Sequence, residues 1–169
     1  MPAGRVVVRA TIVIAVVAIA ALAWRRGHVG EEDAIRARLE TLSQEVNASV
    51  TDGLGMAARG AAIGGFFTED VEVDLGQGTA PIIGRETLVG MAARLQPRTA
   101  AFRLALADIG IRMTSRDEAA EATLTASFIR RSISTAEESI DAREFSLLLT
   151  KAGGVWRIAR ITAVSPLVK

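Results

Sequence analysis

The stretch Phe66-Phe67-Thr68-Glu69-Asp70-Val71-Glu72-Val73-Asp74-Leu75 closes a helix and opens a strand within ten residues. Upstream of it, Leu54 to Phe67 is rich in Ala and Gly and reads as a helix. Downstream, Val71, Val73 and Leu75 alternate with Glu72 and Asp74, the pattern of a short half-buried strand, with Asp70 turning the chain after the helix. Further back, Ile35, Leu39, Leu42, Val46 and Val50 recur every three to four residues and predict an amphipathic helix from Glu31. Glu31-Glu32-Asp33 sits at its positive end, and Asp52-Gly53 supplies a stop.

The pattern continues toward the C-terminus. Gly76 to Pro81 is loop chemistry. Arg85 to Leu95 predicts a third helix, with Leu88, Met91, Ala92 and Leu95 on one face and Pro97 just beyond. Ala101 to Thr114 is apolar on both faces, as expected of a central strand. In 120–131, Ala120, Ala122, Leu124, Ala126 and Phe128 alternate with Glu121, Thr123, Thr125 and Ser127. Ser132 to Asp141 reads as a polar loop. The strand Ala142 to Thr150 then turns Phe145, Leu147 and Leu149 inward, and Ala152-Gly153-Gly154 makes a hairpin turn into Val155 to Val164. Three helices and a mostly antiparallel sheet, with one short strand between the second and third helix, define an α+β domain. The second helix contains Gly60-Ala61-Ala62-Ile63-Gly64. Arg59 and the shortness of the run argue against a membrane pairing motif, so the small residues serve close approach to a neighbouring helix or the sheet.

The 169 residues suit one domain plus an appendage. Cysteine is absent, which excludes disulfides and thiol nucleophiles and leaves the redox compartment open. Arg5, Arg9, Arg25 and Arg26 stand among residues 1–30 without an acid, whereas the rest of the chain carries 16 basic and 19 acidic residues. The globular part is therefore mildly acidic, with no basic stripe to follow a phosphate backbone, and nucleic acid is excluded as a partner. From Ala10 to Trp24 every residue except Thr11 is apolar. As a helix this run spans ~22 Å, and Val6-Val7-Val8, with Arg9 snorkelling, lengthens it to about 28 Å. The chain divides at 1–29, a tail and transmembrane or signal-anchor helix, and 30–169, the folded domain. The membrane is thus an expected partner. The localisation expected is a bacterial inner membrane, single-pass, with the C-terminal domain on the extracytoplasmic side. The alternative is a signal peptide cleaved near Ala23, opposed by the two arginines that follow.

The order of elements, with Phe66-Phe67-Thr68-Glu69-Asp70-Val71, Ile83-Gly84-Arg85-Glu86 and Trp156-Arg157-Ile158 with Ile161, resembles the NTF2-like (SnoaL-like, ketosteroid-isomerase-like) superfamily over residues 31–165. That resemblance implies a curved sheet wrapped around three helices as a cone, an apolar pocket at the wide end, and homodimers or protein partners joined through the sheet. It also implies chemistries that these residues do not match. The chain has no tyrosine for an isomerase oxyanion hole, and its one histidine, His28, lies outside the domain. Asn47 is its sole asparagine, so the hydrolase set of relatives with Asp, Arg, Tyr and Asn cannot be placed either. A tail, one membrane helix and an exported NTF2-like domain also resemble the inner-membrane scaffold components of type IV secretion systems, which assemble and catalyse nothing.

The carboxylates Asp70, Glu72, Asp74, Glu86, Asp108 and Glu144 are the candidates for a general base, which needs an apolar pocket to raise its pKa. Asp108 interrupts an apolar strand on a face shared with Phe102, Leu104 and Leu106. It is the weak catalytic candidate, against the plainer reading of a bulge beside Gly110. Phe102, Leu104, Asp108 and Trp156 are the candidate ligand-binding residues, and Arg103 and Arg160 are possible anion ligands. No metal or cofactor motif occurs. The expectation is a membrane-tethered, non-catalytic domain that binds an apolar small molecule or a protein partner. The alternative is a SnoaL-like isomerase, dehydratase or hydrolase with a carboxylate base.

Overall fold

The computed structural model describes residues 30–48, 53–76, 78–95, 100–115, 118–132 and 138–164. Residues 1–29, with the apolar run and His28, lie outside them, as do Val50 and Asp52. Among the described residues no helix is long and apolar enough to cross a membrane.

Helix α1 (Glu31–Asn47) opens with three acids against its positive end and turns Ile35, Leu39 and Leu42 into the core. Helix α2 (Gly53–Gly64) leads into strand β1 (Phe67–Asp74); the two-residue β2 (Ile82–Ile83) and helix α3 (Arg85–Leu95) follow. Four long strands complete the chain: β3 (Ala100–Ser115), β4 (Ala119–Ser132), β5 (Glu138–Ala152) and β6 (Val155–Ala163). They form one six-stranded sheet in the order β2-β1-β6-β5-β4-β3, antiparallel throughout except where β1 runs parallel to β6. The α+β class and the three helices agree with the sequence reading.

The inner face of the sheet carries the alternating residues of β4 and β5, from Ala120, Ala122, Leu124 and Ala126 to Phe145, Leu147 and Leu149. With Ile35 and Leu39 of α1, Val71 of β1 and Trp156 and Ile158 of β6 they make one buried cluster. Gly60 and Gly64 let α2 lie against α3. A Cβ at Gly60 would stand 3.4 Å from a methyl of Val89, and one at Gly64 would stand 3.4 Å from Cδ of Arg85. The β5–β6 hairpin turns through Gly153 and Gly154, both with positive φ (60° and 77°), as a two-residue turn of this hand requires.

Several expectations need correction. Helix α2 ends at Gly64, and Phe67 already belongs to β1. Asp70 is therefore an exposed strand residue and not a turn. β2 is a second short strand, paired to β1 at Glu72 and Val73. β3 is an edge strand, not a central one. Its apolar character on both faces comes from a register shift between Ala107 and Gly110. Before the shift Leu104 and Leu106 face the core; after it Ile109, Ile111 and Met113 do. A one-residue insertion reverses which alternate residues point inward, so a strand apolar by sequence on two faces buries only one. β5 begins at Glu138 rather than Ala142. Residues 138–143 take their register partners from β4, Glu144 adds a backbone bond from Val164 N–H, and 138–144 are exposed throughout, which explains their loop-like composition.

Candidate functional site

Between the helices and the inner face of the sheet lies a cavity of about 460 Å³, within the ~300–1,000 Å³ usual for small-molecule sites. α1 contributes Leu39, Leu42 and Val46. α2 contributes one face at helical spacing, Met56, Arg59, Gly60 and Ile63. α3 adds Leu88 and Val89, and β1 with the residue after it adds Phe67, Val73 and Leu75. The long strands supply Phe102, Leu104 and Leu106, then Leu124, Ala126 and Phe128, then Phe145, Leu147, Ile158 and Ile161. Met56 (54 % exposed), Leu75 (42 %) and Phe102 (37 %) line the cavity and also reach solvent, so they mark its mouth. Phe102 and Phe128 stack obliquely there, their ring centres 6.0 Å apart.

The mouth lies at the C-terminal end of α1. There Asn47 and Ser43 reach the edge strand. Asn47 Nδ2 donates to the carbonyl of Leu104 (2.8 Å), Leu104 N–H donates to Asn47 Oδ1 (2.7 Å), and Ser43 Oγ donates to the same carbonyl (2.9 Å). The opposite end of α1 is fixed near the β5–β6 hairpin. Glu31 accepts hydrogen bonds from Lys151 Nζ (2.6 Å) and Trp156 Nε1 (2.8 Å), and these bonds, Lys151 first, hold its carboxyl below the usual carboxylate range.

Among the described residues, Arg59 is the one charged residue of the lining. Its Nε donates to the carbonyl of Glu45 (3.0 Å) and its Nη2 to that of Val46, closing the last turn of α1. Among the described residues no carboxylate pairs with it. Arg38, deeper in the body, lies over the Phe66 ring and donates to Gly65 O (2.8 Å). Burial, and then the charge of Arg157, lower its pKa.

The sequence candidates divide. Phe102 and Leu104 face the cavity. Asp108 does not: it is exposed on the bulge, with φ of 53°, and accepts a hydrogen bond from Thr125 Oγ1 (3.3 Å). Trp156 is buried (4 % exposed) in the core cluster and is absent from the lining. Glu72 pairs with Arg160 (2.9 Å), and Asp74 accepts from Gly76 N–H (2.8 Å). Asp70, Glu86, Arg103 and Glu144 are exposed. None of these charged groups lines the cavity. Among the described residues no group of three or more His, Cys, Asp or Glu side chains could hold a metal ion. Sequence reasoning missed Arg59 and Asn47. The spacing Met56, Arg59, Gly60, Ile63 was the available signal for the first; nothing local to Asn47 announces its partner on a strand 57 residues away.

No family model and no curated protein matches the chain. Solved structures do resemble it. An NTF2-like protein with a cystatin-like fold from Novosphingobium aromaticivorans superposes with a TM-score of 0.63 at 15 % identity, covering 84 % of this chain and 86 % of the other. A candidate scytalone dehydratase from the same organism gives 0.64 at 16 %, covering 79 % and 83 %. A ketosteroid isomerase-like protein from Erwinia carotovora atroseptica gives 0.57 at 20 %, covering 82 % and 99 %. The fold is that of the NTF2-like proteins.

Proposed function

We propose that this chain is a membrane-tethered NTF2-like domain that binds an apolar small molecule without transforming it. The observation carrying the proposal is the cavity: about 460 Å³, reaching solvent at Met56, Leu75 and Phe102, and lined among the described residues by aliphatic and aromatic side chains with a single charge. A ligand entering it exchanges apolar surface from water into the protein, worth about 25 cal/mol per Å² buried. The names of two of the similar structures, a dehydratase and an isomerase-like protein, denote catalysts. Such catalysis calls for an acid or base within reach of the substrate, and the described carboxylates stand outside the lining. Binding is therefore favoured over turnover.

The tether is the apolar run of residues 10–24, which we assign to a bacterial inner membrane with the domain on its extracytoplasmic side. The chain enters α1 at its Glu31 end, and the mouth lies at the other, ~25 Å along a 17-residue helix. On this reading the site is held away from the point of attachment, open to the aqueous side.

Native mass spectrometry of the full chain, extracted into a non-ionic amphipol, tests the proposal. Protein carrying one small molecule, extractable into organic solvent, is the expected result. Protein that arrives empty and takes up no neutral apolar probe such as N-phenyl-1-naphthylamine would overturn it.

A further inference from the structure

The single charge among the described lining residues is placed where an amphiphile would need it. Met56, Arg59 and Ile63 follow one another on the cavity face of α2, one turn apart. Met56 borders the mouth and Ile63 packs against the core, so Arg59 sits between solvent and the apolar interior. Two of the five guanidinium N–H groups are used by the carbonyls of Glu45 and Val46. The others have no described carboxylate to meet, although this half-buried cation adjoins an apolar lining. Beyond Arg59 every described lining side chain is apolar, from Leu42 and Leu88 to Phe145 and Leu147.

We propose that the cavity takes a hydrophobic monocarboxylic acid, its chain or ring system inside and its carboxylate at the mouth on Arg59. This rests on the reading of the cavity as an apolar binding site and names the class of its ligand. A carboxylate fits the observation better than a neutral head group. A guanidinium offers donors in a planar fork matched to two carboxylate oxygens, and at a partly desolvated position that pairing is stronger than in water. A dianionic head group would place a second charge against Glu45 and Val46 carbonyls, which already carry the negative end of α1. One charge is matched and a second is opposed.

The test compares decanoate with decanol, of equal chain length, by titration calorimetry on the delipidated full chain in a non-ionic amphipol with an amphipol-only blank. The expected result is that decanoate binds tighter by about tenfold or more, the size of one hydrogen bond to a charged group. Arg59→Met keeps the stem and should abolish the preference while decanol still binds. Equal binding of both ligands by the wild type, or a preference that survives in Arg59→Met, overturns this inference and leaves the apolar site standing. Binding of neither ligand overturns the site itself. Should Arg59→Met not fold, the wild-type pair decides, with Arg59→Lys expected to keep a weaker preference for the acid.

Discussion

Asn47 and Leu104 hold each other by two hydrogen bonds, the side-chain amide of one meeting both the N–H and the C=O of the other. Leu104 belongs to β3, the last strand of the sheet, so among the described residues its outward backbone groups have no neighbouring strand to pair with. The carboxamide of Asn47 does what that strand would do. It also fixes one wall of the cavity mouth, because the Leu104 side chain lines the cavity while the backbone is clamped to α1.

Replacing Asn47 by alanine should therefore destabilise the domain by about 1–3 kcal/mol, the cost of leaving partly buried backbone groups unpaired. Urea unfolding measures this directly. The mutant should also release a bound apolar probe faster, since the end of β3 bordering the mouth loses its tie. An unchanged midpoint would show that water replaces the amide without loss.

Glu31 gives a pH dependence with a definite sign. Hydrogen bonds from Lys151 and Trp156 lower its pKa in the folded protein below the ordinary 4.5. The ionised form is thus favoured by folding, and its contribution is fully present above pH 4.5. It is lost as the pH falls through the lower folded value. Thermal melts of wild type and Glu31→Gln should differ most near neutrality and converge in acid. A gap that widened in acid would contradict the assignment.

Asp108 occupies the left-handed position of the β3 bulge, where φ is 53°. Residues with a Cβ are strained there, and a short polar side chain is among the more tolerated. Asp108→Gly should leave stability unchanged or raised by up to about 1 kcal/mol. Asp108→Val, branched at Cβ, should lower it by about 1–2 kcal/mol. Probe uptake should be the same in Asp108→Gly as in the wild type, because the side chain stands outside the cavity. If Asp108→Asn kept the fold but abolished a measured turnover, the enzyme reading would displace binding.

The fold was legible because its signals are periodic. The spacing of Ile35, Leu39 and Leu42 marks α1, and the alternation from Ala120 to Phe128 marks β4, whatever the rest of the chain does. What the sequence concealed was order across the sheet. A two-sided apolar strand and a bulged edge strand look alike until the register shift at Asp108 is seen. The polar run opening β5 looks like a loop because its strand leaves the body and buries neither face. Phe102 and Leu104 could be picked as cavity residues, being apolar and on the inward parity before the bulge. Trp156 could not be separated from them: it shares their apolar character, but its indole N–H is spent on Glu31 at the far end of the domain. Arg59 shares a face with Met56, Gly60 and Ile63 at helical spacing, but that spacing alone does not mark a site, because a helix arginine is ordinarily a solvent residue.

Filling the cavity separates a binding site from a packing defect. Leu106 lies on its wall, half-buried in β3. Leu106→Trp would place an indole in a space of about 460 Å³, large enough to admit it without the strain of an overpacked core. Stability should therefore stay level or rise through the added apolar burial. Uptake of N-phenyl-1-naphthylamine, followed by its fluorescence, should fall about tenfold or more, equivalent to about 1.4 kcal/mol of binding. A defect of packing would show the gain in stability with no ligand to lose. A stable variant that binds the probe as the wild type does would place the site elsewhere and remove the basis for assigning the cavity a function.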